Sequence, residues 1–233
     1  MNIDIFIPCF VDQLYPETSF NMVKVLEKAG CKVNYKEKQT CCGQPAFNAG
    51  FVKDAASVAQ YFQNTFADAE QIVSPSASCT GFINNYQPKI LKMQANELAT
   101  AKEFSQFLVN DLGQLNFGAV FPHKVTYHDS CSGLRECGIK KEPRLLLQNV
   151  DGLELVEMHD NETCCGFGGT FAMKFASISV AMAEQKIQNA IDSGAEYIVS
   201  TDLSCLMQIQ SVIDKQRLTM KTIHLADVLA SGW

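Results

Sequence analysis

The sequence lacks the features of a membrane-spanning or exported protein. No apolar run reaches 18 residues, so we expect no transmembrane helix. The N-terminal stretch MNIDIFIPCFVDQLYPE has no basic segment, and Asp4 and Asp12 interrupt its apolar residues. It therefore predicts a first β-strand rather than a signal peptide, and a cytoplasmic location.

The sequence also has little positive charge. Lys and Arg number 19 against 25 Asp and Glu, the net charge is −6, and no long basic block occurs. This balance argues against nucleic acid or an anionic membrane surface as the main partner. A chain of 233 residues that is 47% hydrophobic can still bury a sizeable core.

Several cofactor and redox motifs are missing. No C-x-x-C occurs, which disfavours a dithiol redox site, and there is no P-loop. Gly166-Phe-Gly168-Gly169 begins like a dinucleotide-binding loop, but the third glycine of that motif would be Phe171. The chain therefore carries no flavin or nicotinamide fingerprint.

Cysteine is what the sequence does have, with ten residues. Two adjacent pairs are each closed by glycine, at Cys41-Cys42-Gly43 and Cys164-Cys165-Gly166. Each pair has one cysteine upstream and one downstream at nearly equal spacing, which gives two sets of four. The first set is Cys9, Cys41, Cys42 and Cys79, and the second set is Cys131, Cys164, Cys165 and Cys205. In a reducing compartment such patterned cysteines are more often ligands or catalysts than disulfides.

The similarity between the two sets extends to their flanks. QTCCGQPAFNAGF is similar to ETCCGFGGTFAMKF, and QIVSPSASC is similar to YIVSTDLSC. A repeat this long indicates duplication of a half-domain. We therefore predict half-domains at residues 1–113 and 114–233, with residues 113–123 as the linker between them.

Strands and helices alternate in both halves. Strands are predicted at residues 3–8, 32–36, 71–74, 124–128, 153–158 and 197–200. Helices are predicted at residues 17–29, 51–68, 96–112, 144–149 and 171–192, with a closing strand-to-helix pattern over 222–229. For the 171–192 helix the inner face would include Met173, Ala183, Ile187 and Ile191. The alternation predicts an α/β fold with a mostly parallel small sheet in each half, and the cysteines then follow strand ends, where open α/β sheets bind ligands.

Thiolates in groups of four suit soft metals and iron–sulfur clusters. The glycine after each pair allows a tight turn, so that both sulfurs could face one site beside the start of the next helix. We therefore expect one or two iron–sulfur clusters, of the [4Fe–4S] type, held by the eight cysteines. Zinc is the competing metal, although structural zinc sites normally use cysteines two to four residues apart. Buried structural thiols are the remaining interpretation.

Four segments carry a family resemblance: CCGQPAFNAG, VSPSASC, CCGFGGTF and the closing HLADVL. They resemble the cysteine-rich CCG domain family, which includes the B subunit of heterodisulfide reductase and the iron–sulfur subunits of glycolate oxidase and anaerobic glycerol-3-phosphate dehydrogenase. The resemblance is closest to lactate-utilization members and covers nearly the whole chain. It implies a cytoplasmic iron–sulfur subunit of an L-lactate-oxidising system, working with other subunits, one of which carries further iron–sulfur motifs.

The chain departs from heterodisulfide reductase at one position in each set. The last cysteine there belongs to a C-x-x-C, and the matching residues here are Phe82 and Gln208. Four thiolates can still hold an ordinary four-iron cluster. Two alternatives stay open, namely a non-redox binding or assembly subunit with a structural metal and an iron–sulfur thiol–disulfide reductase subunit.

Three polar residues near Cys131 are further candidates. His128 and Asp129 could relay a proton beside a metal centre, or they could cap the end of a strand. Arg135 could bind a carboxylate substrate, or it could be a solvated charge. Cys31 and Cys137 have no counterpart in the repeat, and we expect them to be packing thiols.

Overall fold

The computed structural model of the chain describes residues 1–233 and contains two four-stranded sheets in which every strand pair is parallel. The first sheet comprises β1 (Asn2–Ile5), β2 (Lys32–Tyr35), β3 (Ile72–Ser74) and β4 (Ala101–Glu103) in the order β2-β1-β3-β4. The second sheet comprises β5 (Lys124–Tyr127), β6 (Glu154–Leu155), β7 (Tyr197–Ser200) and β8 (Lys221–His224) in the order β6-β5-β7-β8. The predicted α/β fold with a parallel sheet in each half is confirmed.

Helices follow the strands in both halves. In the first half they are α1 (Cys9–Leu14), α2 (Pro16–Lys28), α3 (Gln44–Asn48), α4 (Val52–Thr65), α5 (Ala77–Asn85), α6 (Gln87–Leu91) and α7 (Phe104–Gln106), which continues as a π-helical turn to Asp111. In the second half they are α8 (Cys131–Glu136), α9 (Glu142–Leu147), α10 (Thr170–Lys174), α11 (Ala176–Asp192), α12 (Leu203–Gln216) and α13 (Leu225–Leu229). None of them combines the length and apolarity that crossing a bilayer requires.

The strand order places the cysteines. Because β1 and β3 are neighbours while β2 lies on the far side of β1, the chain leaves β1 and β3 in opposite directions at their carboxyl ends. Ile5 pairs with Val73 there, and Tyr127 pairs with Val199 at the equivalent point of the second sheet. Each half thus has a crevice at the place where its cysteine-bearing loops begin.

The predicted helix over residues 96–112 is wrong. Residues Ala95–Glu97 form a single 3-10 turn, β4 follows, and helical structure begins only at Phe104. The apolar residues that suggested helical spacing include Ala101 and Phe104, which are both buried, but Ala101 lies in a strand paired with Ile72. Pairing with β3 overrides the local periodicity because it hydrogen-bonds the backbone of a segment that must be buried.

The long helix predicted over residues 171–192 is two helices. Phe175, with φ −129° and ψ 49°, separates α10 from α11. Ala183 and Ile187 are buried as predicted, but Met173 is 85% exposed and Ile191 is 41% exposed, so both of these core assignments are wrong. Four helices that were not predicted, α1, α5, α8 and α12, each begin at or just before one of the isolated cysteines.

The two halves share one hydrophobic core. A cluster of 38 buried residues includes Val25 and Leu108 from the first half and Leu146 and Leu229 from the second. Across the interface α2 packs against α13, and α5 packs against α8. The connecting segment 113–123 is held by a backbone bridge between Val120 and Asp151. The proposed boundary at residue 113 therefore separates two sheets that are packed together.

Candidate metal centres

The first cysteine set converges from three loops at the carboxyl end of the first sheet. Cys9 opens α1 directly after β1, and Cys79 lies in the first turn of α5 after β3. Cys41 and Cys42 follow β2. The Cys42 and Cys79 Sγ atoms are 3.2 Å apart, and the Cys9 thiol donates a hydrogen bond to Cys41. The four sulfur atoms, which come from segments that follow three different strands, therefore lie together.

The second set repeats this arrangement. Cys131 opens α8 after β5, Cys205 lies in the first turn of α12 after β7, and Cys164 and Cys165 follow β6. Cys164 contacts the Cys131 thiol, and Cys165 contacts the Cys205 thiol. Sequence reasoning predicted both groupings, and the structure brings all four members of each together.

The glycine of each pair has a backbone conformation that other residues rarely adopt. Gly43 has φ +99° and Gly166 has φ +87°. Their backbone N–H groups point back at the first cysteine of the pair, with N to Sγ distances of 3.4 Å to Cys41 and to Cys164. The positive φ thus turns the chain so that an amide stabilises a thiolate. A helix follows each turn, α3 immediately after Gly43 and α10 after Gly169.

One thiol in each set is held as a thiolate. Hydrogen bonds from Cys42 and Cys9 lower the pKa of Cys41 to about 3, and hydrogen bonds from Cys131 and Cys165 lower the pKa of Cys164 in the same way. The same contacts raise the pKa of Cys9 and of Cys42, since each donates to the Cys41 thiolate. Binding of a metal requires deprotonated thiols, so a metal bound to either set would displace the protons that its other thiols carry.

Both sets line one cavity between the two halves. Its volume is about 550 Å³, and all eight cysteines are on its wall. Phe47, Phe82 and Tyr86 form an apolar wall on the first side, and Phe167 and Met173 lie on the second. The loops after β3 and β7 meet beside it, where the Ser78 N–H donates to Asp202 Oδ2 at 2.9 Å. The sequence predicted two sites but gave no sign that they open into the same space.

Phe82 and Gln208, which stand where heterodisulfide reductase has further cysteines, have other contacts. Phe82 stacks on Tyr86 with ring centroids 5.7 Å apart. The Gln208 side chain donates to Ser179 Oγ at 2.8 Å, and Ser179 Oγ donates to the Gly166 carbonyl at 2.8 Å. Gln208 therefore supports the turn that holds the second cysteine pair.

The other candidates near Cys131 have different environments. The Asp129 carboxylate is buried and accepts two hydrogen bonds from Arg144, at 2.9 and 2.7 Å, which fits a structural ion pair. Arg135 is exposed and lies beside Cys164 on the outer surface rather than in the cavity. His128 is fully buried, and one of its ring nitrogens lies within 4.8 Å of the sulfur atoms of Cys165 and Cys205.

The two cysteines outside the sets pack elsewhere. Cys31 lies in the shared core, and the Cys137 thiol donates to the Ala77 carbonyl at 3.4 Å. Sequence reasoning missed one residue, Lys186, which is buried beside the second set and donates to the Asp160 and Asn161 carbonyls. The spacing of Lys186, three residues after Ala183 and four before Ala190 on the buried face of α11, was the signal that could have identified it.

The sequence profile of the cysteine-rich domain family, CCG, matches residues 3–84 and 125–210, the two segments that carry the cysteine sets. The chain belongs to this family. The CCG family profile ends in each half just after the last cysteine of the set, within α5 and α12.

Similar proteins extend over the whole length of this CCG-family chain. It is 41% identical to lactate utilization protein A of Exiguobacterium sp., covering 99% of this chain and 98% of that protein. It is 40% identical to lactate utilization protein A 1 of Bacillus mycoides, covering 98% and 96%. It is also 38% identical to lactate utilization protein A of Bacillus subtilis, covering 99% and 100%.

Among solved structures, a hypothetical protein from Helicobacter pylori superimposes with a TM-score of 0.54 at 12% identity. The match covers all of this chain, which spans about half the length of that protein. At this identity the similarity concerns the fold alone.

The residues of both sets fit iron–sulfur clusters. Such clusters are held by four cysteine thiolates, and each set supplies four thiols within one partly buried pocket. One of the four is already deprotonated, and a backbone amide points at it. A CCG-family chain with this donor chemistry is suited to bind metal or iron–sulfur groups in both halves.

Proposed function

We propose that this protein is an iron–sulfur electron-transfer subunit of a lactate-oxidising system, with one [4Fe–4S] cluster in each set. The observation that carries the proposal is the cavity whose wall contains all eight cysteines. The similarity to proteins named lactate utilization protein A supports lactate as the substrate of the system.

Oxidation of lactate to pyruvate releases two electrons and two protons. Iron–sulfur clusters exchange electrons singly, so two of them match the two electrons released. The residues of this chain hold the clusters through Cys9, Cys41, Cys42 and Cys79 in one half, and through Cys131, Cys164, Cys165 and Cys205 in the other. Phe47, Phe82 and Tyr86 line the space between the two sets with aromatic rings.

The system needs partners. A hydride acceptor for lactate is normally a flavin or nicotinamide, and we place it on another subunit of a cytoplasmic complex. A second partner would be an iron–sulfur protein that receives or supplies electrons at the cavity. Acting as one subunit of such a complex agrees better with the motifs of this chain than acting as an enzyme on its own.

Metal analysis of anaerobically purified protein tests the proposal. We expect a brown protein with iron and sulfide in equal amounts, whose absorbance and EPR spectrum change on reduction with dithionite. Cys41→Ser and Cys164→Ser should each remove the iron of one set, about half of the total. Cys31→Ser, the same substitution in the shared core, is the control and should leave the iron content unchanged. Equal iron in all four proteins would show the ligand assignment to be wrong.

The link to lactate has its own test. Mixed anaerobically with the other subunits of the system, the loaded protein should be reduced when lactate is added and should stay oxidised with lactate omitted. Protein that contains both clusters but is never reduced by lactate would leave the cluster assignment standing and overturn the substrate.

A structural zinc site is the second candidate for the second set. His128, Cys165 and Cys205 are all buried, and their donor atoms lie within 4.8 Å of one another, which is a donor group that zinc accepts. Colourless protein with zinc in this set would favour a binding or assembly role over electron transfer.

A further inference from the structure

The two metal centres differ in one pair of buried residues. Phe6 and His128 occupy the same place, since each follows the first strand of its half and donates its backbone N–H to the neighbouring strand, to Val73 and Val199. Phe62 and Lys186 also correspond. The Ala55 carbonyl lies against Gly43 of the first cysteine pair, and the Ser179 carbonyl lies against Gly166 of the second. Phe62 is seven residues after Ala55, and Lys186 is seven residues after Ser179.

In the first half this pair is apolar. The Phe6 and Phe62 rings meet edge to face with centroids 5.1 Å apart. They belong to a cluster of eight buried residues that includes Cys42. Phe6 and Phe62 thus present only hydrocarbon to the first centre.

In the second half the pair is polar. His128 is 0% exposed, and neither of its ring nitrogens makes a hydrogen bond of normal geometry. The Asn161 carbonyl lies near the ring, but it already accepts hydrogen bonds from the Asp129 N–H and the Lys186 ammonium. Lys186 does not fill that need, because its ammonium donates to the carbonyls of Asp160 at 2.6 Å and Asn161 at 3.0 Å. These two carbonyls belong to the loop that leads into Cys164, so Lys186 fixes the position of that loop.

A buried imidazole without a partner costs free energy, and native proteins rarely leave one in this state. Two groups within reach of a His128 ring nitrogen are the Cys165 and Cys205 thiols, and the three donor atoms lie within 4.8 Å of one another. Imidazole nitrogen and thiolate sulfur are established ligands of both iron and zinc. A metal held by the second set would supply the partner that the imidazole lacks.

We propose that His128 takes the place of one cysteine of the second set as a ligand of its metal centre, so that this centre has mixed nitrogen and sulfur ligands whereas the first has sulfur alone. The inference rests on the proposed function and extends it, because the two centres then differ in their ligands and in their reduction potentials. A histidine ligand raises the reduction potential of an iron–sulfur centre, and the nearby Lys186 ammonium acts in the same direction because it favours the reduced, more negative state. The second centre should therefore have the higher potential.

Electron–nuclear double resonance of the reduced protein tests the ligand directly. Protein grown with ¹⁵N-histidine should show a strong isotropic nitrogen coupling that changes with the isotope. The coupling should disappear in His128→Phe, a substitution that introduces the residue found at the equivalent position of the first half. The matched control is His159→Gln, which alters an exposed histidine and should leave the coupling in place. In a redox titration the signal of the second centre should move to lower potential in His128→Phe, while that of the first stays.

Two results would overturn the inference: an iron-loaded wild-type protein without a histidine coupling, or a coupling that persists in His128→Phe. If His128→Phe does not fold, the spectrum of the labelled wild-type protein still tests whether His128 is the ligand. His224 is already hydrogen-bonded to Pro75 and Ala226, and the remaining two histidines are at least partly exposed, so a histidine coupling would come from His128.

Failure of the proposed function has a different signature, namely protein without iron. If the second set then contains zinc, X-ray absorption at the zinc edge tests whether His128 is a ligand of that zinc. A zinc coordination shell that contains nitrogen would support the assignment of His128 as a ligand, and a shell of sulfur alone would overturn it.

Discussion

Gly166 occupies a position where no side chain fits. A Cβ atom there would lie 2.5 Å from the Ser179 carbonyl oxygen, in addition to the strain of a φ of +87°. The equivalent contact at Gly43 is looser, 3.2 Å from the Ala55 carbonyl. The second cysteine pair is therefore pressed more tightly against its helix than the first.

Gly166→Ala should destabilise the protein strongly. Gly50→Ala is the matched control, because Gly50 has φ +90° and a methyl group added there would meet no atom within 4 Å. In both variants the alanine would adopt a left-handed backbone conformation, which costs about 1–2 kcal/mol. The overlap of the new methyl group with the Ser179 carbonyl should add about 1–3 kcal/mol in Gly166→Ala alone. Urea unfolding of the two variants measures the difference. Equal losses would mean that the Ser179 carbonyl moves away freely.

Asp129 was a candidate proton relay, and its contacts indicate a structural role. It is fully buried and faces Arg144, whose other edge is bound by Glu157 at 2.6 Å. Asp129→Ala would leave the Arg144 charge, which is only 16% exposed, with Glu157 as its one remaining carboxylate partner.

We expect Asp129→Ala to lower the free energy of unfolding by about 3 kcal/mol, as for other buried pairs that lose one member. Glu162→Ala, which breaks the exposed pair with Lys140, is the control and should leave stability unchanged within error. Stability measured by denaturant titration checks both. Unchanged stability in Asp129→Ala, with a loss of cluster reduction, would return Asp129 to the role of proton relay.

At the scale of elements, β4 and α7 depend on Glu103. This residue ends the strand, and its carboxylate accepts hydrogen bonds from the backbone N–H groups of Ser105 and Gln106. Burial raises the pKa of Glu103 to about 7 despite these bonds, and Glu142 adds repulsion. The segment that leads into the π-helical turn is thus hydrogen-bonded to the Glu103 carboxyl group, which binds a proton more readily in the folded state than in the unfolded state.

This pKa gives stability a pH dependence. An unfolded Glu has a pKa of about 4.3, so from there to about pH 7 the folded state binds more protons than the unfolded state. The contribution of Glu103 to stability therefore falls as the pH rises across this window, by roughly 4 kcal/mol, and is constant above it. Glu103→Gln should remove this slope, which urea unfolding at pH 5 and pH 7.5 would show. Glu70→Gln, at an exposed position, should keep it. Parallel profiles for all three proteins would contradict the raised pKa.

At the scale of the whole molecule, the two sheets depend on each other. The 38-residue cluster draws on both halves, and Asp227 near the end of the chain accepts hydrogen bonds from Thr18 at 2.9 Å and Asn21 at 3.0 Å in α2. Separating the halves would expose the apolar faces of α2 and α13, which now cover each other.

The segments 1–113 and 114–233 should therefore fail to fold when produced separately, even though each contains a complete sheet. We expect each alone to bind a hydrophobic dye and to unfold without a sharp transition, whereas the whole chain unfolds in one step. Two independent sharp transitions would show instead that the halves are autonomous domains. Co-expression of both segments is the control, because it restores the shared core.

Much of the fold could be predicted from the sequence, because most elements here have a local cause. Met22, Val25 and Leu26 recur at helical spacing in α2, and Gly30 ends that helix with φ +82°. Strand β7 matches its prediction because Tyr197–Ser200 is a short apolar run between turns. The failure at residues 96–112 concerns β4, whose conformation comes from pairing with β3.

The sequence by itself determined the duplication, the parallel α/β architecture and the grouping of eight cysteines into two sets of four. It could do so because residue spacing along the chain carries that information. Only the tertiary structure decided that both sets line one cavity, that Asp129 is paired with Arg144, and that His128 is buried without a partner where Phe6 packs on Phe62. Each of these depends on residues that are separated in sequence and meet only in the folded chain, so no local pattern records them.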